Sequence, residues 1–234
     1  MERLDKIIAS QGKFSRSEVK KLVKGGRITL DGCPVKASDV KVDPQKSVIE
    51  IDGEKLFYQK HVYIMLNKPK GVISASNDKS EKTVVDLVPP SLFREGLFPA
   101  GRLDADTTGF VLITDDGDFA HRILSPKNHI MKTYHATLAH EISERDIERF
   151  KEGLTLGDGT KCLEAFVRQL EGNVAEVKIC EGKYHQVKRM FASVGNKVLE
   201  LKRVRMGELP LDESLMPGEC RPLTEAELTL ITQK

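Results

Sequence analysis

No run of apolar residues in the 234-residue sequence reaches the roughly 18 needed to cross a bilayer. The opening Met1-Glu2-Arg3-Leu4-Asp5 also lacks the basic and apolar regions of a secretory signal. A cytoplasmic location, away from membranes, is expected. Cysteine is scarce and dispersed: Cys33, Cys162, Cys180 and Cys220 stand 129, 18 and 40 positions apart, so no Cys-x-x-Cys pair offers a zinc site or a redox disulfide. All four are expected to be reduced, partly buried thiols. Gly153, Gly157 and Gly159 precede no Lys-Ser/Thr pair, which leaves nucleotide hydrolysis without its phosphate cradle. The sequence shows neither an internal repeat nor a low-complexity tract.

What is present is ordinary in bulk and uneven in distribution. With 39% hydrophobic and 31% charged residues the chain has material for a sizeable core, and its length suits a small fold plus a larger one. The net charge of +2 hides a basic front: residues 1 to 30 hold 8 Lys+Arg against 3 Asp+Glu, and residues 61 to 234 hold 24 against 26. A front-loaded positive charge is what a phosphate-contacting surface needs.

Leu4, Ile7 and Ile8 have the spacing of a first amphipathic helix ending near Gly12. Ser15-Arg16-Ser17-Glu18 is a capping-box pattern opening a second helix, with Val19, Leu22 and Val23 as its apolar stripe and Gly25-Gly26 as its stop. Arg27 to Leu30 alternates like a strand into the tight-turn pair Asp31-Gly32, and further strands are expected at Val40 to Val42 and Val48 to Ile51. Through Arg3-Leu4-Asp5-Lys6, Ser15-Arg16-Ser17 and Gly26 to Gly32, this stretch resembles the S-four type of RNA-binding domain. The resemblance implies a docking domain over residues 1–58 that presents Arg3, Arg16, Lys20 and Arg27 to RNA phosphates.

Beyond residues 57–61, where periodicity lapses, Val62 to Leu66 opens a second domain, expected over 62–234. Strand-like runs at 110–114, 132–138, 163–170, 174–180 and 197–204 alternate with helical pieces at 118–124, 146–152 and 184–194. The helices are too few for a doubly wound sheet. The expected class is α+β: a small α/β front and a larger domain with a mixed, largely antiparallel sheet flanked by helices.

The turn-rich loop Pro99-Ala100-Gly101-Arg102-Leu103-Asp104-Ala105-Asp106-Thr107-Thr108-Gly109 runs straight into the apolar strand beginning at Phe110. By composition alone such a loop reads as Asp and Thr bonding their own backbone. A metal pair of Asp104 and Asp106 finds no third ligand at a suitable spacing. The reading changes once Lys132-Thr133-Tyr134, Glu181-Gly182-Lys183-Tyr184-His185-Gln186-Val187-Lys188-Arg189-Met190 and Leu201-Lys202-Arg203 are set beside the loop. Together these resemble the RsuA-type pseudouridine synthases over residues 62–228.

By that resemblance Asp104 is the catalytic aspartate, Arg102 assists base extrusion, and Tyr134 stacks on the target base and serves as candidate for removal of its C5 proton. Lys188 pairs with the aspartate, and Leu201 packs on the uracil. His185 is expected to order its loop by hydrogen bonds, and Arg189 to lie on a charged helix face. The implied reaction isomerises a uridine with neither cofactor nor metal. In the Asp-Thr-Thr-Gly sequence and the compact length the chain looks most like the small-subunit members, which implies ribosomal RNA of a small-subunit assembly intermediate as the partner of a monomeric enzyme; large-subunit RNA and a non-catalytic assembly factor are the alternatives.

Overall fold

The structure is a computed structural model describing residues 1–233. The chain folds as two compact units, one made of residues 1–62 with 89–96 and the other of 63–88 with 97–234. The short excursion at 89–96, which the sequence reading leaves in the larger domain, is tied to the first unit by buried Arg94, whose guanidinium donates to Gln11 Oε1 (2.5 Å) and the Gln59 carbonyl (2.7 Å).

The first unit runs β1 (Glu2–Arg3), α1 (Leu4–Ser10), α2 (Arg16–Lys24), β2 (Ile28–Leu30), β3 (Cys33–Pro34), β4 (Lys41–Val42), β5 (Ile49–Ile51) and β6 (Glu54–Lys55). The capping box at Ser15 is formed: the Glu18 amide donates to Ser15 Oγ, and the Ser15 amide donates to the Glu18 carboxylate. The β2–β3 hairpin turns on Asp31 and Gly32 with φ of 51° and 80°, the left-handed values that an Asp-Gly pair accepts readily. Four strands order as β3-β2-β5-β6, and β1 pairs with β4. Leu4, Ile7, Ile8, Val19, Leu22, Ile28 and Ile49 close the core, each worth about 1.5–3 kcal/mol relative to exposure. Cys33 corrects the expectation for the thiols. It opens the edge strand β3 just after the turn and is exposed, whereas Cys162 and Cys180 are buried and Cys220 is half-buried.

The second unit contains β7 (Tyr63–Lys68), β8 (Phe98–Pro99), β9 (Thr108–Thr114), α3 (Gly117–Leu124), β10 (Lys132–Leu138), α4 (Glu144–Glu152), β11 (Phe166–Gln169), β12 (Val174–Ile179), α5 (Gln186–Ser193), β13 (Val198–Met206), β14 (Leu209–Pro210), β15 (Cys220–Pro222) and α6 (Glu225–Thr232). Nine strands form one sheet in the order β11-β12-β10-β13-β9-β7-β15, with β8 beside β9 and β14 beside β13. Only β13 and β9 run parallel among these pairings, so the sheet is mixed and largely antiparallel, flanked by helices. The strand expected from Leu163 begins later, at Phe166, because the Leu163 amide is drawn to the Glu181 carboxylate (2.9 Å) rather than into the ladder. Likewise α5 starts at Gln186, since His185 before it is left-handed. Among the described residues no helix is long and apolar enough to cross a membrane.

Gly109 fixes the centre of this sheet. Its φ is +98°, and a Cβ there would lie 2.2 Å from the Arg203 carbonyl oxygen, a clash with backbone that cannot yield. Only glycine lets β13 come alongside β9, which brings Leu201 next to the loop that precedes β9.

Candidate active site

The loop between β8 and β9 carries Arg102, Asp104 and Asp106, and its backbone is held from two directions. Ser74, buried, donates from Oγ to the Leu103 carbonyl (2.9 Å) and accepts from the Leu103 amide (3.0 Å). Lys68, at the end of β7 and fully buried, donates from Nζ to the carbonyls of Pro69 (3.0 Å), Ala105 (3.1 Å) and Thr107 (2.8 Å). Burial pushes the Lys68 ammonium down to about 8, against the opposing pull of the Asp106 and Asp104 charges.

The neighbouring strands supply the rest of a cavity. Tyr134 on β10 pairs across to Val177 on β12 and to Arg203 on β13, and Leu201 pairs with Ala136. Cross-strand partners share a face, so Tyr134, Leu201 and Ile179 point the same way. The cavity is lined by Arg102, Leu103, Asp104 and Thr107 from the loop, Tyr134, Ile179 and Leu201 from the sheet, and Gly182, Lys183, His185, Gln186 and Val187 from the turn into α5. Tyr134 and Leu201 are buried in its wall, and Arg102 is exposed at its edge.

Lys188 reaches the loop from α5. Its Nζ lies 2.9 Å from Asp104 Oδ2 and 2.6 Å from Asp106 Oδ1. Burial pulls the Lys188 ammonium down, but the hydrogen bonds to Asp106 and Asp104 outweigh it and hold the group above its ordinary value. The same bond keeps the Asp106 carboxyl below the usual carboxylate range, against the effect of burial. His185 Nε2 stands 3.4 Å from Asp104 Oδ1. Asp104 thus faces a cation on one oxygen and an imidazole on the other. All five residues expected at the chemistry, Asp104, Tyr134, Lys188, Arg102 and Leu201, converge here.

Three contributors escaped sequence reasoning. Lys68 left a signal, a charged residue closing an apolar run. Asp106 as a second acceptor for Lys188 and Glu181 as anchor of the α5 turn left none. Glu181, buried, accepts from the Leu163 amide (2.9 Å) and Gln186 Nε2 (2.6 Å) and pairs with the Lys183 ammonium. Arg189 turns away and pairs with Asp158 at 2.5 Å, as expected of a helix-face charge. No cluster of three or more His, Cys, Asp or Glu side chains is placed to hold a metal ion among the described residues.

In the first unit Arg16 and Lys20 are exposed on α2, beside Lys21 and Lys24. Arg3 and Arg27 are exposed too, but each is already engaged by a carboxylate: Arg3 by Asp5 (3.0 and 2.8 Å) and Arg27 by Asp52 (2.6 Å to each oxygen). Those two guanidiniums offer RNA less uncompensated charge than Arg16 and Lys20.

Comparison with known proteins agrees with this geometry. The family model for RNA pseudouridylate synthase matches residues 62–193, and that for the S4 domain matches residues 2–48. A Bacillus subtilis protein described as uncharacterized RNA pseudouridine synthase YtzG is 48% identical over 99% of this chain and 98% of its own. The ribosomal small subunit pseudouridine synthase A of Escherichia coli K12 is 42% identical, covering 98% of this chain and 99% of its own. A solved structure titled as a pseudouridylate synthase superposes with a TM-score of 0.69 at 40% identity, over 99% of this chain and 100% of that one. The chain belongs to the RNA pseudouridylate synthase family, as an RsuA-type member carrying an S4 domain.

Proposed function

We propose that this pseudouridine synthase acts on small-subunit ribosomal RNA, with Asp104 as the reacting carboxylate and residues 1–58 as the docking domain. The observation that carries the assignment of Asp104 is its place in the cavity, 2.9 Å from the Lys188 ammonium. The likeness to small-subunit synthases along nearly the whole chain supports the choice of RNA.

The reaction breaks the N-glycosidic bond, leaving its electron pair on N1, turns the uracil while it is held, and joins C5 to the ribose C1′; C5 gives up a proton and N1 takes one up. Atoms and electrons balance within the nucleotide. An ionised carboxylate is required whether it attacks carbon or takes the C2′ proton, and a cation within about 4–6 Å favours that ionised form. Lys188 supplies the cation. The uridine must first leave its stack at a cost of a few kcal/mol. Stacking on the Tyr134 ring returns about 1–3 kcal/mol, and Leu201 completes an apolar wall. Arg102, exposed at the cavity edge, stands where the displaced strand would pass. The Tyr134 hydroxyl is our candidate acceptor of the C5 proton.

Every cavity residue comes from one unit of one chain, which is compatible with action as a monomer in the cytoplasm, on RNA of an assembling small subunit. The test is to map pseudouridine in both ribosomal RNAs of a strain lacking the gene. Loss of one site in the small-subunit RNA is expected; loss confined to the large-subunit RNA would overturn the choice of substrate.

A further inference from the structure

In the turn that leads from the cavity into α5, two aromatic rings stack on each other, and the outer one has no part in the reaction. Tyr184 is 75% exposed, yet its ring is ordered face to face on His185, with centroids 3.9 Å apart and planes 17° from parallel. His185 in turn lines the cavity and lies 3.4 Å from Asp104. One face of the Tyr184 ring is therefore covered by a residue of the reaction site, and the ring remains largely open to solvent.

The backbone that presents this pair is held in an uncommon shape. His185 adopts φ 47° and ψ 35°, left-handed values that cost a non-glycine residue free energy and persist only where the surroundings enforce them. The enforcement is visible on both sides of the pair. Glu181 anchors the turn through Leu163 and Gln186, and the Lys183 amide donates to Gln186 Oε1 at 2.9 Å. A strained, well-anchored turn that displays an aromatic ring to water gains nothing from burial.

We propose that Tyr184, backed by His185, is a landing platform for an unpaired RNA base next to the target uridine. The inference rests on the pseudouridine synthase reading of the cavity. Extruding the uridine deprives its neighbours of a stacking partner and exposes a base face beside the cavity mouth. A flat ring held against a cavity-lining residue replaces the lost partner and does so for any base, since every base has a π-face. The occupant is a nucleobase rather than an apolar side chain because cations flank the platform: the Arg189 guanidinium donates to the Tyr184 carbonyl (3.3 Å), and the backing His185 lines the cavity that also holds Arg102.

The test combines kinetics with a fluorescent base. The substrate is a ribosomal RNA fragment shown to be modified by the wild-type protein, with 2-aminopurine placed in turn on each side of the target uridine. Tyr184→Ala is expected to raise KM by about 5- to 100-fold, and Tyr184→Phe, which keeps the ring, to restore it. In complexes with Asp104→Asn protein, 2-aminopurine at one flank should be quenched with Tyr184 present and brighter when Tyr184→Ala is added. Unchanged KM with unchanged quenching would overturn the platform. So would a fall in kcat alone, which would make Tyr184 a mere support for His185. Absence of pseudouridine in every ribosomal RNA treated with the wild-type protein is a separate result: it would remove the functional reading, and the platform with it.

Discussion

The Lys188 ammonium is shared between Asp104, 2.9 Å away, and Asp106, 2.6 Å away, and the two carboxylates differ in shelter. The Asp106 side chain is 71% exposed and that of Asp104 only 26%. An exposed partner is screened by water and salt more than a sheltered one. Asp104 is the partner that lines the cavity, and Asp106 is not.

Asp106→Asn should therefore lower kcat by less than about tenfold, while Lys188→Met should lower it by about 100- to 1,000-fold, the range typical of losing one electrostatic stabiliser. Lys188→Arg keeps the charge and should recover part of the loss. Release of tritium from uridine labelled at C5 reads all three. Equal losses for Asp106→Asn and Lys188→Met would show that the exposed carboxylate is as important as the sheltered one.

Tyr134 is given two tasks that substitution separates. Tyr134→Phe keeps the stacking ring and loses the hydroxyl, so RNA binding should stay within about twofold of wild type while turnover falls by about 100-fold or more. Tyr134→Ala should lose both binding and turnover. Full turnover by Tyr134→Phe would remove the hydroxyl from proton transfer and leave the ring its stacking task.

Lys68 makes the catalytic loop sensitive to alkaline pH. Its ammonium titrates near 8 in the folded chain, against an ordinary value of 10.5. Between those values the unfolded chain binds more protons, so this group's contribution to stability rises with pH; below 8 both states are protonated and the full cost of burial applies. Lys132, also buried and near 8, acts in the same direction. Cys162 and Cys180 act oppositely, because burial raises their thiols above the ordinary 9 and the unfolded chain ionises first. The clean window is pH 8 to 9. There Lys68→Met should gain less stability than wild type by roughly 1 kcal/mol, read from urea midpoints. Loosening of the loop should also cut kcat by about 10- to 100-fold. Identical pH slopes in the two proteins would remove Lys68 as the source.

Exposed Arg16 and Lys20 should account for a salt-dependent share of RNA binding. Replacing both with alanine should reduce the slope of log K against log salt by about 1.4–1.8, two phosphate contacts' worth, with kcat at saturating RNA nearly unchanged. Replacing Arg3 and Arg27 should change the slope less, since Asp5 and Asp52 already balance them. A collapse of kcat at saturation in the Arg16 and Lys20 variant would give this surface a part in the chemistry.

What could be read from the sequence followed the range of the interactions involved. The capping box at Ser15, the Asp31-Gly32 turn and the apolar stripe of α2 are local and were legible directly. The cavity residues were legible only through the family resemblance, since Asp104, Tyr134, Lys188 and Leu201 are distant in sequence and meet through the β10–β13–β9 arrangement. The bond from Glu181 to Leu163 and the ring stack of Tyr184 on His185 depend on side-chain packing, for which hydropathy patterns have no sign. The same limit hid the exposure of Cys33 and the pairing of Arg3 and Arg27 with carboxylates.

The most direct test of the central claim compares wild type with Asp104→Asn on precursor small-subunit RNA, scoring RNA binding and pseudouridine in separate assays. The account predicts binding by both proteins and pseudouridine from the wild type alone. Pseudouridine formed equally by Asp104→Asn would contradict it.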